Sequence, residues 1–282
     1  MRPAVCVAGW GPRHARARNL FRRGRGCGRL GAMKRATTVF LAMSILSLFA
    51  RADTNAVASL QMDAFEAPNG KSVTFTCIKH GSLRIQYDGL EIQIDPVGKG
   101  LRPQTDYAQF PKADVILVTH EHFDHFDRDA IAALRKDGTA VYLNPAVQGM
   151  LGSGTALRNG ESAKVREDVT IEAVPAYNTT PGHEKFHPKG RDNGYVLSLG
   201  GFRVYVAGDT EDIPEMANVK DIDVAFLPCN QPYTMTPEQA ARAAKTVKPK
   251  VLFPYHYGET PVQRVADLLD GSGIDVRIRN YQ

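Results

Sequence analysis

The densest concentration of reactive side chains is His120-Glu121-His122-Phe123-Asp124-His125, which follows directly on the apolar run Val115-Ile116-Leu117-Val118-Thr119. Four ligand-type groups within six residues, at the exit of a buried strand, require a turn that aims alternate side chains at one spot. Imidazole suits Zn²⁺, Fe or Mn²⁺, and a carboxylate adds charge and a base. One such cluster does not complete two metal sites. Further candidates stand just past other apolar runs: Asp209, between Gly208 and Thr210, His256 after Leu252-Phe253-Pro254-Tyr255, and His183 and His187 in the loop after Val174-Pro175-Ala176-Tyr177. Site residues of open α/β sheets gather past strand C-termini.

Residues 183–187 also spell His-Glu-Lys-Phe-His. The H-E-x-x-H arrangement of zinc proteases works on a helix, where residues i and i+4 share a face. Here Pro181-Gly182 precede the segment and Pro188 and Gly190 follow it, so a single turn is the most it can form. A protease reading would also leave Asp124 and Asp209 without a role.

The elements that position these groups read as follows. Residues 53–70 form a polar lead-in, and strands are expected in Ser72-to-His80, Ser82-to-Tyr87 and Leu90-to-Pro96, the last two joined by a hairpin turn at Asp88-Gly89. Residues 115–120 are solidly apolar, as a strand buried on both faces should be. A helix is expected over 127–136, a strand at Ala140-Val141-Tyr142-Leu143 and a short helix near 146–151. A strand over 169–177 should break at Pro175, and 194–210 is a hairpin turning at Gly200-Gly201. Strand 223–228, a helix from Thr236 to about Val247, strand 250–256, a helix from about Pro261 to Asp270 and a last strand from Asp275 complete the chain. Thr236-Pro237-Glu238-Gln239 carries the N-cap Thr, N1 Pro and N3 Gln of a helix start. Hairpins early in each half and strand–helix alternation late in each half imply two mixed sheets packed together with helices outside.

The 282 residues carry 35 basic and 30 acidic side chains, but eleven of the basic ones and none of the acidic ones lie in residues 1–52. The remaining 24 basic and 30 acidic residues give the body a charge of −6. A nucleic-acid partner is therefore not expected. Residues 33–52 run Met33-Lys34-Arg35, then an apolar stretch from about Val39 to Ala50, then Ala50-Arg51-Ala52. That order of charged, apolar and small residues is a secretory signal peptide, and the apolar run is short of the ~20 residues a spanning helix needs. Residues 1–32, Arg- and Gly-rich, read as an extension upstream of the true start, with a transit peptide as the competing reading. Cleavage leaves 53–282 as one domain, exported to the periplasm or secreted, with no stable membrane span. It retains Cys77 and Cys229, for which one disulfide is conceivable but no framework exists.

The His120-x-His122-x-Asp124-His125 segment, a loop His, Gly208-Asp209-Thr210 and the late His256 together resemble the metallo-β-lactamase-fold hydrolase superfamily. Asp95-Pro96, and Phe186-His187-Pro188-Lys189-Gly190 before Gly194-Tyr195-Val196, are similar to its lactonase and N-acyl-phosphatidylethanolamine phospholipase-D-like branch. The resemblance spans about Ser72 to Arg279. It implies an α/β, four-layer αββα sandwich of two mixed sheets, with a dinuclear site at its edge. On this carry-over His120, His122 and a third His hold one ion, Asp124, His125 and His256 hold the other, and Asp209 bridges them. Where many members place the third His, this chain has Tyr177-Asn178, so His187 is assigned with His183 in reserve. Asp95 is either a turn residue before Pro96 or the acceptor of a ligand His N–H.

The implied cofactors are two divalent ions, Zn²⁺ first, with Mn²⁺ or Fe as alternatives. They would bridge and activate a water that attacks an ester, lactone or phosphoester of a small-molecule substrate, with Asp124 orienting it. Antibiotic-hydrolysing members typically lack the bridging Asp, so β-lactams are not expected substrates. A di-iron oxidoreductase, a non-catalytic metal-binding protein of the same fold and an H-E-x-x-H protease are the alternatives. No flavin-binding domain is appended to supply the first with electrons. Oligomeric state is not legible.

Overall fold

The computed structural model describes residues 60–281; the upstream extension and signal peptide expected over 1–52 lie outside them. Two seven-stranded sheets repeat one plan. In the first, β1 (Met62–Glu66), β2 (Ser72–Lys79), β3 (Ser82–Tyr87) and β4 (Leu90–Ile94) form an antiparallel meander. Onto β4 are added, in parallel, β5 (Val115–Val118), β6 (Ala140–Leu143) and β7 (Thr155–Ala156). In the second, β8 (Ser162–Arg166), β9 (Val169–Ala176), β10 (Asp192–Leu199) and β11 (Phe202–Val206) run antiparallel. The parallel additions there are β12 (Val224–Pro228), β13 (Val251–Tyr255) and β14 (Asp275–Val276).

The six parallel pairs need crossovers; α1 (Arg128–Leu134), α2 (Pro145–Leu151), α3 (Pro237–Val247) and α4 (Gln263–Leu269) lie in four of them, and short 3-10 turns at Tyr107–Gln109 and Pro214–Asn218 in the other two. Asp127 caps α1 by accepting from the amides of Asp129 and Ala130, and Thr236 and Gln239 form a reciprocal capping box on α3. The period-2 alternation of β5 shows why its run is solidly apolar. Val115 and Leu117 enter the main core with Ile85, Ile92, Leu197 and Phe226, whereas Ile116 and Val118 pack with Ile131, Leu134 and Val147 of the helices. This is the αββα arrangement expected from the strand–helix pattern.

Three local expectations are corrected. Part of the polar lead-in is strand β1, paired to β2 from Met62↔Thr76 to Glu66↔Ser72. Strand β9 does not break at Pro175, which stays in register opposite Asn193 of β10. Pairing with β8 ends at Glu172, so Pro175 sits on a free edge where no N–H is required. The last strand is only Asp275–Val276. Cys77 and Cys229 are both buried and free; Cys77 Sγ donates to the Tyr281 hydroxyl at 3.0 Å. Among the described residues no helix is long and apolar enough to cross a membrane.

Candidate metal centre

The exits of β2, β5, β11 and β13 converge on one edge of the sandwich. Thr119 and His120 leave β5, and the next residues fold into a turn closed by His122 O, which accepts from the amides of His125 and Phe126 at 2.9 Å each. The turn throws Phe123 outward, 69% exposed. The ligand-type side chains point inward as two groups. His120, His122 and His187 form one, and Asp124, His125, His256 and His80 the other, with the ligand atoms of each within 4.8 Å of one another.

Asp209 lies between the groups. Its Oδ2 is 3.1 Å from His256 Nε2, 3.5 Å from His187 Nε2 and 3.9 Å from His120 Nε2, and its Oδ1 is 3.3 Å from His125 Nε2. Gly208 lets the chain deliver it: φ is +65°, and a Cβ there would sit 2.7 Å from Asn193 O. Non-glycine residues in the left-handed region, at a cost of roughly 1–2 kcal/mol each, recur here: Asp95, His80 and His256 have φ of 44°, 46° and 48°.

Asp95 is fully buried and accepts three hydrogen bonds: Thr119 N at 2.7 Å, Thr119 Oγ1 at 2.6 Å and His125 Nδ1 at 2.8 Å. Because a carboxylate only accepts, Thr119 spends its hydroxyl hydrogen on Asp95. Its oxygen must then accept from His120 Nδ1, 3.0 Å away. One carboxylate thus places protons on the Nδ1 atoms of His125 and, through Thr119, of His120, so that Nε2 is the nitrogen each ring turns towards the cluster. Asp192 does the same for His187, whose Nδ1 donates to its Oδ2 at 2.9 Å.

The electrostatics are those of a cation site. Burial pushes His120 well below the usual imidazole range, and neighbouring His125 adds to this. Burial opposes charge on His125, but Asp209 and Asp95 outweigh it and raise it to about 10. Burial likewise opposes charge on Asp209, yet His125 and His256 hold it well below the usual carboxylate range. Although 3.3 Å apart, His125 Nε2 and Asp209 Oδ1 are buried atoms without a hydrogen-bond partner among the described residues. Buried polar atoms left unpaired in this way call for an ion or water, and bare imidazole nitrogens with carboxylate oxygens suit divalent metals. The residues fit the implied metals.

His183 lies outside both groups. Its Nδ1 is 3.4 Å from Glu211 Oε1, and residues 181–186 are turns, so the H-E-x-x-H segment has no helix to share. Fully buried Glu211 instead shapes that loop: its Oε2 accepts from the amides and hydroxyls of Thr179 and Thr180 at 2.7–2.9 Å. Arg191 donates to Asp192 and to Phe186 O at 2.7 Å, and its Nη1 forms an ion pair with Glu121 Oε1 at 3.0 Å, tying the loop of His187 to the turn of His120 and His122. Sequence reasoning also passed over His80, although it stands past a strand as the other candidates do. Its Nε2 is 3.1 Å from Asp124 Oδ2.

Two mixed seven-stranded sheets with this histidine and aspartate edge define a metal-dependent hydrolase of the metallo-β-lactamase fold. The family profile described as Beta-lactamase superfamily domain matches residues 74–256, and the chain belongs to that family. Curated relatives include UPF0173 metal-dependent hydrolases of Koribacter versatilis, 32% identical over 68% of this chain and 87% of the relative, and of Pyrobaculum neutrophilum, 31% identical over 66% and 84%. A crystal structure of a candidate metal-dependent hydrolase from Parabacteroides distasonis is 56% identical, with a TM-score of 0.76 over 79% of this chain and all of that one. A metallo hydrolase from Ignicoccus hospitalis is 28% identical, with a TM-score of 0.62 over 74% of this chain and 95% of its own.

Proposed function

We propose that this hydrolase is dinuclear and acts on an ester, lactone or phosphoester bond of a small molecule. The observation that carries the reading is the Asp209 carboxylate, within 3.1–3.9 Å of ring nitrogens from both ligand groups. His120, His122 and His187 would hold one ion, Asp124, His125 and His256 the other, and Asp209 would bridge them. Zn²⁺ is the first candidate, with Mn²⁺ or Fe as alternatives. When bound, such a pair lowers the pKa of a water and polarises the carbonyl or phosphoryl oxygen under attack.

The chain's own groups do the rest. Asp95, Thr119 and Asp192 each engage an Nδ1 atom, so that His125, His120 and His187 would offer Nε2 to an ion. Burial opposes charge on Asp124, but the His80 hydrogen bond and the nearby His125 and His256 hold it far below the usual carboxylate range. Asp124 is therefore an anion through the working pH range, and its side chain is 20% exposed, so it can accept a hydrogen bond from an incoming water and orient it. A shared anionic bridge suits oxygen esters rather than β-lactams. Residues 33–52 would direct export, and an intact mass beginning at Asp53 in secreted material would support this.

The test uses the full chain loaded with Zn²⁺ or Mn²⁺ and three probes: a p-nitrophenyl ester, a γ-lactone and bis-p-nitrophenyl phosphate. Turnover of at least one, lost in Asp209→Ala, is expected. A protein holding two ions that turns over none of the three contradicts the substrate class.

A further inference from the structure

We infer that His80 is a positioning residue for the second metal ion, its Nε2–H fixing Asp124 in the orientation that ligation requires. The inference rests on the dinuclear reading above. Asp124 comes from a surface turn, and its side chain is the more exposed of the two carboxylates in the cluster, 20% against 3% for Asp209. A carboxylate in that position needs a second anchor to hold one rotamer. His80 provides it at 3.1 Å. Because the carboxylate only accepts, the Nε2 atom carries the hydrogen and its lone pair is not free for an ion. That separates His80 from His125 and His256, whose buried Nε2 atoms have no hydrogen-bond partner among the described residues.

Three contacts hold His80 for this task. Its amide donates to Tyr281 O at 2.5 Å, and its carbonyl accepts from the amide of His256 at 3.2 Å. The imidazole lies against the His256 ring, with centroids 3.7 Å apart. The same residue therefore steadies two side chains of the second group, Asp124 by hydrogen bond and His256 by backbone and ring contact. It belongs to the group of Asp124, His125 and His256 and not to that of His120, His122 and His187, so its influence should fall on one ion alone.

The experiment titrates Zn²⁺ into the metal-free full chain against a chromophoric chelator, for the parent, His80→Asn and His80→Gln. Asn tolerates the left-handed backbone of position 80, φ 46°, but its amide stops short of Asp124. Gln places an N–H where His Nε2 stands. Outer partners of metal ligands typically contribute 10–100-fold in affinity. The expectation is therefore that His80→Asn weakens one of two binding steps by about 10–100-fold and leaves the other in place, while His80→Gln keeps both. Unaltered steps in His80→Asn overturn the inference. So does an equal loss at both steps, which would mark a general structural role, and so does a Gln variant as weak as Asn, which would make His80 itself a ligand. Thermal melting in chelator verifies that each variant folds. A parent that takes up one ion only counts against the dinuclear reading rather than against His80.

Discussion

Replacing Asp95 by Asn changes one atom of a fully buried side chain and should impair both metal positions at once. In the parent, Asp95 Oδ1 accepts from Thr119 N at 2.7 Å, while Oδ2 accepts from Thr119 Oγ1 at 2.6 Å and His125 Nδ1 at 2.8 Å. If the Asn oxygen keeps the Thr119 amide, its NH₂ faces the hydroxyl and the imidazole. The hydroxyl must then turn towards His120 Nδ1, and both His120 and His125 must move their proton to Nε2, the ligating atom. If the amide flips, its NH₂ meets the Thr119 N–H and a buried donor is left unpaired, which costs roughly 1–3 kcal/mol.

The first arrangement deprives each ion of a well-prepared ligand; the flipped one keeps both donors on the oxygen and shows as lost stability of the metal-free chain. An outer partner contributes about 10–100-fold per ion, which is about 1.4–2.8 kcal/mol at 1.4 kcal/mol per decade. The assay is a Zn²⁺ titration against a chelator, with denaturation of the metal-free chain in parallel. Breaking the buried His125–Asp95 pair should also lower metal-free stability, by up to about 3–5 kcal/mol. An Asn variant that binds both ions and resists denaturation as the parent does would refute the proton-placement argument, and a loss at one ion alone would refute the Thr119 relay to His120.

Gly81→Ala puts a Cβ 2.6 Å from His125 Cε1, so the ring must shift; about tenfold or greater weakening of metal binding is expected in the same titration. Arg191→Lys cannot reach Asp192, Phe186 O and Glu121 together; kcat/KM should fall by about 10-fold or more with metal content retained, and unchanged kinetics would remove Arg191 from the account. Glu211→Ala should cost roughly 1.5–3 kcal/mol per charged hydrogen bond it fails to replace, read by urea denaturation. Burial opposes charge on Glu211, but the Thr179 and Thr180 donors outweigh it and hold the folded carboxyl below its ordinary 4.5. The unfolded chain therefore takes up the proton first as pH falls. Its stabilisation is complete above about that value and declines below it, and Glu211→Gln should flatten that part of the stability–pH curve.

The fold was largely legible because each sheet repeats the same pattern, hairpins followed by strand–helix alternation, and both signals are local. What escaped is long-range. Strand β1 is short and half polar, and only its partner β2 makes it a strand. Pro175 reads as a break unless one knows that the pairing of β9 with β8 ends at Glu172. At the site, the ligand-type residues announced themselves by density in 120–125 and by position past strands at 209 and 256. His80 obeyed the same positional rule but stood alone, with no neighbour of its kind to mark it. Thr119 adjoins His120 and Asp192 is only five residues from His187, yet nothing in their residue types marks them as hydrogen-bond partners of ligands. Between His183 and His187 the sequence offered only the resemblance, whose usual position holds Tyr177-Asn178 here. The structure places His187 beside Asp209 and His183 against Glu211.

The central claim is a pair of ions shared across Asp209, and elemental analysis of metal per chain tests it most directly. Parent protein, Asp209→Ala and His183→Ala should be purified and measured together. About two ions in the parent, fewer in Asp209→Ala and no change in His183→Ala are expected from the two-ion site described above. A single ion that is lost in His183→Ala and indifferent to Asp209 would contradict it.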